Sequence, residues 1–328
     1  MSERKRIGII GVSGYGGGEA LRICAQHTHF EVAAVYGESS AGERVGDRYP
    51  AIAALAPSVA RLRVEPFDPP SVDVDLLFAS MPTGKSQDAL AAVPSGVKIV
   101  DIGGDHRHVD GWTYGLADVW PDRVRESSRV ANPGCYPSAA LLALAPLAKA
   151  GYIDGDEAVV VDAKSGVSGA GRGGGNQLGY AEVNESVHAY KPMTHGHEPE
   201  IGSALADLGL KTDRLAFVPH LVPMTRGILA TCYVTSTATA NDCIQAARAL
   251  FEKTPFVRVT PESPRTKFAS GSNLAFLHYA ADPQRRLVVA TCAIDNLGKG
   301  AAGQAVQNAN LMLGLEADMG LRQFPVYP

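Results

Sequence analysis

Arg6-Ile7-Gly8-Ile9-Ile10 runs directly into Gly11-Val12-Ser13-Gly14-Tyr15-Gly16-Gly17-Gly18, and the reading of this join decides the fold. The short apolar run predicts a buried strand, the glycines a tight turn, and residues 19–27, with Leu21 and Ile23 inward, a helix. Glu31-Val32-Ala33-Ala34-Val35-Tyr36 then predicts a second strand, completing a βαβ unit of ordinary length. The glycines fall as G-x-x-G-x-x-G, not G-x-G-x-x-G. Such a turn brings backbone N–H groups up to a pyrophosphate at a helix N-terminus, with Ser13 and Tyr15 flanking it. Gly11, Ser13, Gly14, Tyr15, Gly16 and Gly17 are therefore the expected dinucleotide contacts.

The end of the second predicted strand reads Gly37-Glu38-Ser39-Ser40, with Arg44 shortly after. Glu38 suits the ribose diol of NAD, whereas Ser39, Ser40 and Arg44 suit the extra phosphate of NADP; the residues leave both open and lean to NADP. Further strands at 75–79 and 97–101, with a helix at 85–93 between them, imply a parallel, doubly wound sheet. Beyond Ala150 the rhythm changes. Strands rich in Val and Thr are expected at 157–163, 214–219, 227–235 and 285–294, with one strong helix pattern at 241–253, which predicts a second, α+β domain with a mixed or antiparallel sheet. The boundary falls close to Cys135, and clefts between domains are where sites collect.

At 328 residues, 45% of them hydrophobic, the chain is long enough for two domains with sizeable cores. The formal charge of -4 gives no argument for nucleic acid or an anionic membrane, so a small-molecule partner is expected. Five cysteines, without a C-x-x-C pair, point to reduced thiols in a cytoplasm. The N-terminal stretch Met1-Ser2-Glu3-Arg4-Lys5-Arg6 is basic, but Gly8, Gly11 and Gly14 cut short the apolar run after it, and no signal-peptide core forms. No stretch approaches the roughly 20 apolar residues that span a bilayer.

Cys135 lies in Asn132-Pro133-Gly134-Cys135-Tyr136-Pro137, ahead of an Ala/Leu-rich helix expected from Ser138 to Ala150 with Pro137 at its start. A thiol at a helix N-terminus is held toward thiolate by unpaired amides and the helix dipole. His195 and His197 flank a glycine ahead of another helix start, in Thr194-His195-Gly196-His197-Glu198-Pro199-Glu200. The H-x-H spacing lacks the carboxylate or Cys partners of a zinc site, so no metal is expected; an imidazole acid/base is what a nucleophilic thiol requires. Ser165-Gly166-Val167-Ser168-Gly169-Ala170-Gly171-Arg172-Gly173-Gly174-Gly175 is too glycine-rich for a helix or strand interior and lets amides approach a phosphate or nicotinamide. Pro219 to Gly227 places Arg226 in a turn before a strand, and Asp295-Asn296-Leu297-Gly298 closes one.

In their order along the chain, the glycine turn, Asn132 to Pro137, Ser165 to Arg172, the His195/His197 segment, Pro219 to Gly227, and Asp295 to Gln307 resemble the N-acetyl-gamma-glutamyl-phosphate reductases. The resemblance covers nearly the whole chain. The Cys135 segment and the Ser165 to Arg172 loop are its most specific parts. Departures occur at Asp101-Ile102-Gly103-Gly104-Asp105-His106-Arg107, which looks like the family's DLSADFR, at Ser138 for Thr, and at Gly196 for Arg. The resemblance implies a Rossmann NADP-binding domain (1–134 and 300–328) and an α+β catalytic and dimerisation domain of the semialdehyde dehydrogenase type (135–299), with a last helix at 301–314 returning to the first. It implies a homodimer or homotetramer that reduces N-acetylglutamyl phosphate with NADPH through a Cys135 thioester. His197 is the expected acid/base and His195 a phosphate ligand, with the reverse open. Ser168, Gly169 and Asn296 are expected at the nicotinamide, and Asn132, Arg107, Ser165, Arg172 and Arg226 at the substrate. The alternatives are the carrier-bound aminoadipyl-phosphate reductase of lysine biosynthesis, a Cys-His acyltransferase without nicotinamide, and a non-catalytic NADP sensor.

Overall fold

The computed structural model describes residues 4–173 and 175–326. Met1 to Glu3, Gly174 of the glycine-rich loop and the last two residues of the expected first domain lie outside the described residues. The chain divides into two compact units. The first runs to Pro133 and takes back Ala301–Arg322; the second is Gly134–Gly300 with the residues from Gln323 onward.

The first unit opens with β1 (Lys5–Ile10), α1 (Tyr15–Cys24) and β2 (Phe30–Tyr36). Three short helices come next, α2 (Val45–Arg48), α3 (Pro50–Leu55) and α4 (Pro57–Ala60). Then come β3 (Leu76–Ala79), α5 (Ser86–Ala91), β4 (Lys98–Asp101), β5 (Thr113–Tyr114), α6 (Pro121–Arg125) and β6 (Arg129–Ala131). The sheet order is β2-β1-β3-β4-β6-β5, and every neighbouring pair is parallel. The chain thus steps from β1 outward to β2 and then crosses to the other side of β1, so the glycine turn sits at the topological switch point where doubly wound sheets bind ligands. β1, β3 and β4 are apolar runs almost wholly buried, as strands covered on both faces must be.

The second unit opens with α7 (Cys135–Lys149), β7 (Val159–Gly166), α8 (Tyr180–Val183), β8 (His188–Ala189), α9 (His197–Asp207), β9 (Leu215–Val222) and β10 (Ile228–Thr235). It continues through α10 (Ala240–Phe251), β11 (Val257–Val259), β12 (Ala275–Asp282) and β13 (Leu287–Ile294). Its seven-stranded sheet, β11-β12-β13-β10-β7-β9-β8, is mixed: β7 with β9 and β11 with β12 are parallel, the remaining pairs antiparallel. The residues of β7, β9 and β10 that alternate inward are buried against α7 and α9, with α10 on β11 and β12, while the opposite row is partly exposed.

Finally a π-type turn (Gly298–Ala302) leads into α11 (Gly303–Met312), which packs on α1, α6 and β4 of the first unit. Two expectations shift. The helix expected from Ser138 begins at Cys135, so Pro137 is its third residue, where a missing N–H still costs nothing because the first intrahelical bond is from Ser138 N–H to Gly134 O (2.9 Å). The glycine-rich loop is partly regular: β7 runs through Gly166 and a 3-10 turn covers Val167–Ala170.

Candidate active site

In the first unit the glycines divide by task. Gly11 has φ +79°, and a Cβ there would run into the carbonyl of Ser80 just beyond β3; one at Gly17 would run into the Gly11 carbonyl. These two let α1 close tightly onto the strand ends. A Cβ at Gly14 would meet only Gly11 O at 3.4 Å, and α1 has no side-chain cap at this end. The amides of its first turn suit an anion such as a pyrophosphate. Beyond β2, Ser39 and Arg44 are exposed, while Ser40 is buried with its Oγ lacking a hydrogen-bond partner. Arg107 Nε donates to Asn132 O (3.1 Å).

The Asn132 side chain is fully buried, with Nδ2 donating to Ala301 O (3.1 Å) and Oδ1 accepting from Asn308 Nδ2 (3.0 Å). It ties β6 to α11.

In the second unit Cys135 is the first residue of α7, capped by an extended Gly134 with no side-chain cap. The thiol is half-buried, whereas Cys24, Cys232, Cys243 and Cys292 are buried. Burial pushes the Cys232 thiol up to about 12 and Cys243 up to about 11, which keeps both protonated and inert. His197 begins α9, and its Nε2 packs against the Gly134 α-carbon so closely that a Cβ there would collide with the ring. The imidazole therefore lies beside the residue that precedes the thiol. His195 sits against it, ring centroids 4.6 Å apart, and its Nδ1 accepts the His197 backbone N–H (3.1 Å), which fixes Nε2 as the outer nitrogen.

Four residues that sequence reasoning missed complete this arrangement. Glu200, one turn along α9 and buried, accepts the Gly134 N–H on Oε1 (2.8 Å), pinning the head of α7 to the histidine helix. Tyr190 O–H donates to Tyr136 Oη (3.1 Å), and Tyr136 O–H donates to His220 O (2.9 Å). Burial pushes Tyr190 up to about 12 and Tyr136 higher, so both phenols stay neutral beside the histidine rings. Asp295, wholly buried, grips Arg226 bidentately (Nε to Oδ2 2.8 Å, Nη2 to Oδ1 3.0 Å) and accepts the Gly271 N–H (2.6 Å). Only the pattern H-E-P-E, a carboxylate three residues from a histidine, hinted at Glu200.

The predicted residues of the glycine-rich loop separate. A Cβ at Gly169 would lie 2.9 Å from Ser165 Oγ and 3.6 Å from Asn296 Nδ2, so these three meet. Asn296 is buried and committed, its Oδ1 accepting the Gly227 N–H (2.7 Å) and its Nδ2 donating to Ser168 Oγ (2.8 Å). It holds the loop carrying Ser168. Arg172 stands on the exposed stretch 169–173.

Comparisons with known proteins match the chain along nearly its whole length. Residues 6–127 match the semialdehyde dehydrogenase NAD binding domain, and residues 135–296 the semialdehyde dehydrogenase dimerisation domain. An N-acetyl-gamma-glutamyl-phosphate reductase of a Bradyrhizobium species is 57% identical over 98% of this chain and 99% of its own length, and that of Brevibacillus brevis is 41% identical with the same coverage. Aspartate semialdehyde dehydrogenase II of Vibrio cholerae superposes with a TM-score of 0.74 over 95% of this chain and 99% of its own, at 18% identity, which shows the shared fold. With both domains matched and relatives this similar along their whole length, the chain belongs to the semialdehyde dehydrogenase family, among its N-acetyl-gamma-glutamyl-phosphate reductases.

Proposed function

We propose that the protein reduces the acyl phosphate of N-acetylglutamate with NADPH, giving the 5-semialdehyde and phosphate on the route to arginine. The observation that carries this reading is the half-buried Cys135 opening α7 with the His197 imidazole against the glycine before it. In this reading the first unit is the dinucleotide-binding domain and the second the catalytic and dimerisation domain. Ser39, Ser40 and Arg44 serve the 2′-phosphate of NADP.

Cys135 thiolate attacks the acyl carbon, the carbon–oxygen bond to phosphate breaks, and the acyl group rests on Sγ as a thioester. The dinucleotide, when bound, supplies hydride. Cys135 then carries the reduced carbon as a thiohemiacetal, whose carbon–sulfur bond breaks to release aldehyde and restore the thiolate. His197 Nε2 takes the proton from Sγ at the start, gives it to the oxyanion that reduction leaves, and takes it back from the thiohemiacetal hydroxyl as the carbon–sulfur bond breaks to thiolate, while the departing phosphate is protonated from solvent. The N–H groups of Cys135 and Tyr136 stabilise the oxyanion, a role Pro137 has no proton for. His195 Nε2 and Arg226, the latter held in place by Asp295, meet the substrate anions, with Arg107, Arg172 and Ser165 as further contacts. Five thiols outside any disulfide fit a reducing, cytoplasmic compartment. Two copies join through the partly exposed face of the seven-stranded sheet.

The test runs the reaction backward: N-acetylglutamate semialdehyde, inorganic phosphate and NADP are mixed with enzyme and NADPH absorbance is followed. Phosphate-dependent formation of NADPH is expected. Absence of turnover, with or without activity on a carrier-bound aminoadipate semialdehyde, would overturn the assignment.

A further inference from the structure

The segment 62–65 folds back beside the end of β2. Glu65 N–H donates to Val35 O and Gly37 N–H to Glu65 O, each 2.9 Å. The same segment runs antiparallel to 43–45, with Val45 N–H donating to Leu62 O (3.0 Å) and Val64 N–H to Glu43 O (2.9 Å). Arg44 and Arg63 are the bridge partners between those two bonds. They form the non-hydrogen-bonded kind of pair, the closer of the two, with Cα atoms about 4.5 Å apart. Two like charges directly opposite are destabilising unless something answers them. Among the described residues neither guanidinium pairs with a carboxylate: Arg63 Nη1 donates to Gly42 O (2.8 Å), and nearby Glu43 is taken by Arg48 (2.6 Å). Just beyond β2, the buried Ser40 Oγ lacks a hydrogen-bond partner and lies 2.7 Å from where a Gly37 Cβ would stand. The C-terminal end of the second strand is where a doubly wound nucleotide domain reads the ribose 2′ position.

We propose that Arg63, opposite Arg44, reads the 2′-phosphate of NADP and sets the preference of this chain for the phosphorylated dinucleotide. The inference rests on the reading of the first unit as a dinucleotide-binding domain. A planar guanidinium on each side lets the phosphate accept from two forks at once. Glu38, exposed on the same turn, is the competing group, since a carboxylate there favours the unphosphorylated ribose diol.

Calorimetric titration of the full-length protein with NADP, NAD, 2′-AMP and 5′-AMP tests this without turnover. NADP is expected to bind at least about ten-fold tighter than NAD. Arg63→Ala should weaken NADP and 2′-AMP by roughly ten-fold and leave NAD and 5′-AMP within about two-fold, which also shows that the variant is folded. Arg63→Lys should recover only part of the loss, and the gap between NADP and NAD should narrow with added salt. Tighter binding of NAD than NADP, or an unchanged NADP affinity in Arg63→Ala, would overturn the role of Arg63. Failure of every nucleotide to bind would overturn the dinucleotide reading itself, and retained NAD binding tells the two apart.

Discussion

Five cysteines share this chain, and position alone distinguishes Cys135 from the four that burial silences. Replacing its sulfur by oxygen keeps the shape and removes the nucleophile. Cys135→Ser is expected to lower kcat by roughly 10⁴-fold or more while NADP affinity stays within a few-fold, measured by steady-state assay and titration. The two histidines should separate kinetically. His197→Asn is expected to cost about 10²–10⁴ in kcat, whereas His195→Asn acts mainly through KM for the acyl phosphate; the opposite split would exchange their roles. These residues were legible in the sequence because a thiol beside Pro-Gly and a histidine before a helix start are local signals. The packing of Asn132 and Asn296 was not legible, for the complementary reason: their amides bond to groups distant in sequence, and only the tertiary structure shows Ala301 O, Asn308, Gly227 and Ser168 engaging them.

At the scale of elements, α11 stands out for its polarity. It carries Gln304, Gln307, Asn308 and Asn310, yet each is at most 2% exposed. Their amide nitrogens donate to Gly115 O, Asp118, Asn132 and Met319 O, which is how a polar helix can be buried, with Gln304 Oε1 left without a partner. Asn308→Leu would strip Asn132 Oδ1 of its donor and Gln304 Nε2 of an acceptor, at about 1–3 kcal/mol for each group left unsatisfied. A fall in the urea midpoint checks this. His27 fastens the end of α1 to the same region, its Nε2 facing Asn310 Oδ1 (3.1 Å) and Met319 O (2.9 Å). Burial pulls it down to about 4 from an ordinary 6.5. Below pH 6.5 the unfolded chain takes up a proton that the folded one refuses, so stability from His27 is complete above pH 6.5 and lost as pH falls toward 4. Urea midpoints between about pH 7 and pH 4.5 should decline, and His27→Gln should flatten that decline. The parallel order of the first sheet followed from the alternation of strand and helix patterns. The short α2, α3 and α4 were not predicted, because four to six residues carry too little periodicity to read.

For the molecule as a whole, the partly exposed row of the second sheet calls for a cover. Lys164, Leu229 and Phe276 share it, with Asp162, Thr231 and His278 alongside. Sedimentation is expected to report two copies or a multiple of two. Leu229→Glu, whose carboxylate can meet Lys164 across β7 and β10 without harming the fold, should shift the protein toward monomer. Its wild-type sedimentation coefficient persisting unchanged would place the contact elsewhere. The return of α11 to the first unit carries a further consequence during synthesis. The nucleotide unit emerges first from the ribosome but lacks the helix that plugs its core until the whole second unit has emerged, roughly 10–30 s later at ordinary elongation rates. A nascent chain interrupted in that interval leaves β4, α1 and α6 without the helix that covers them, so the first unit can be completed only once the whole second unit has been made.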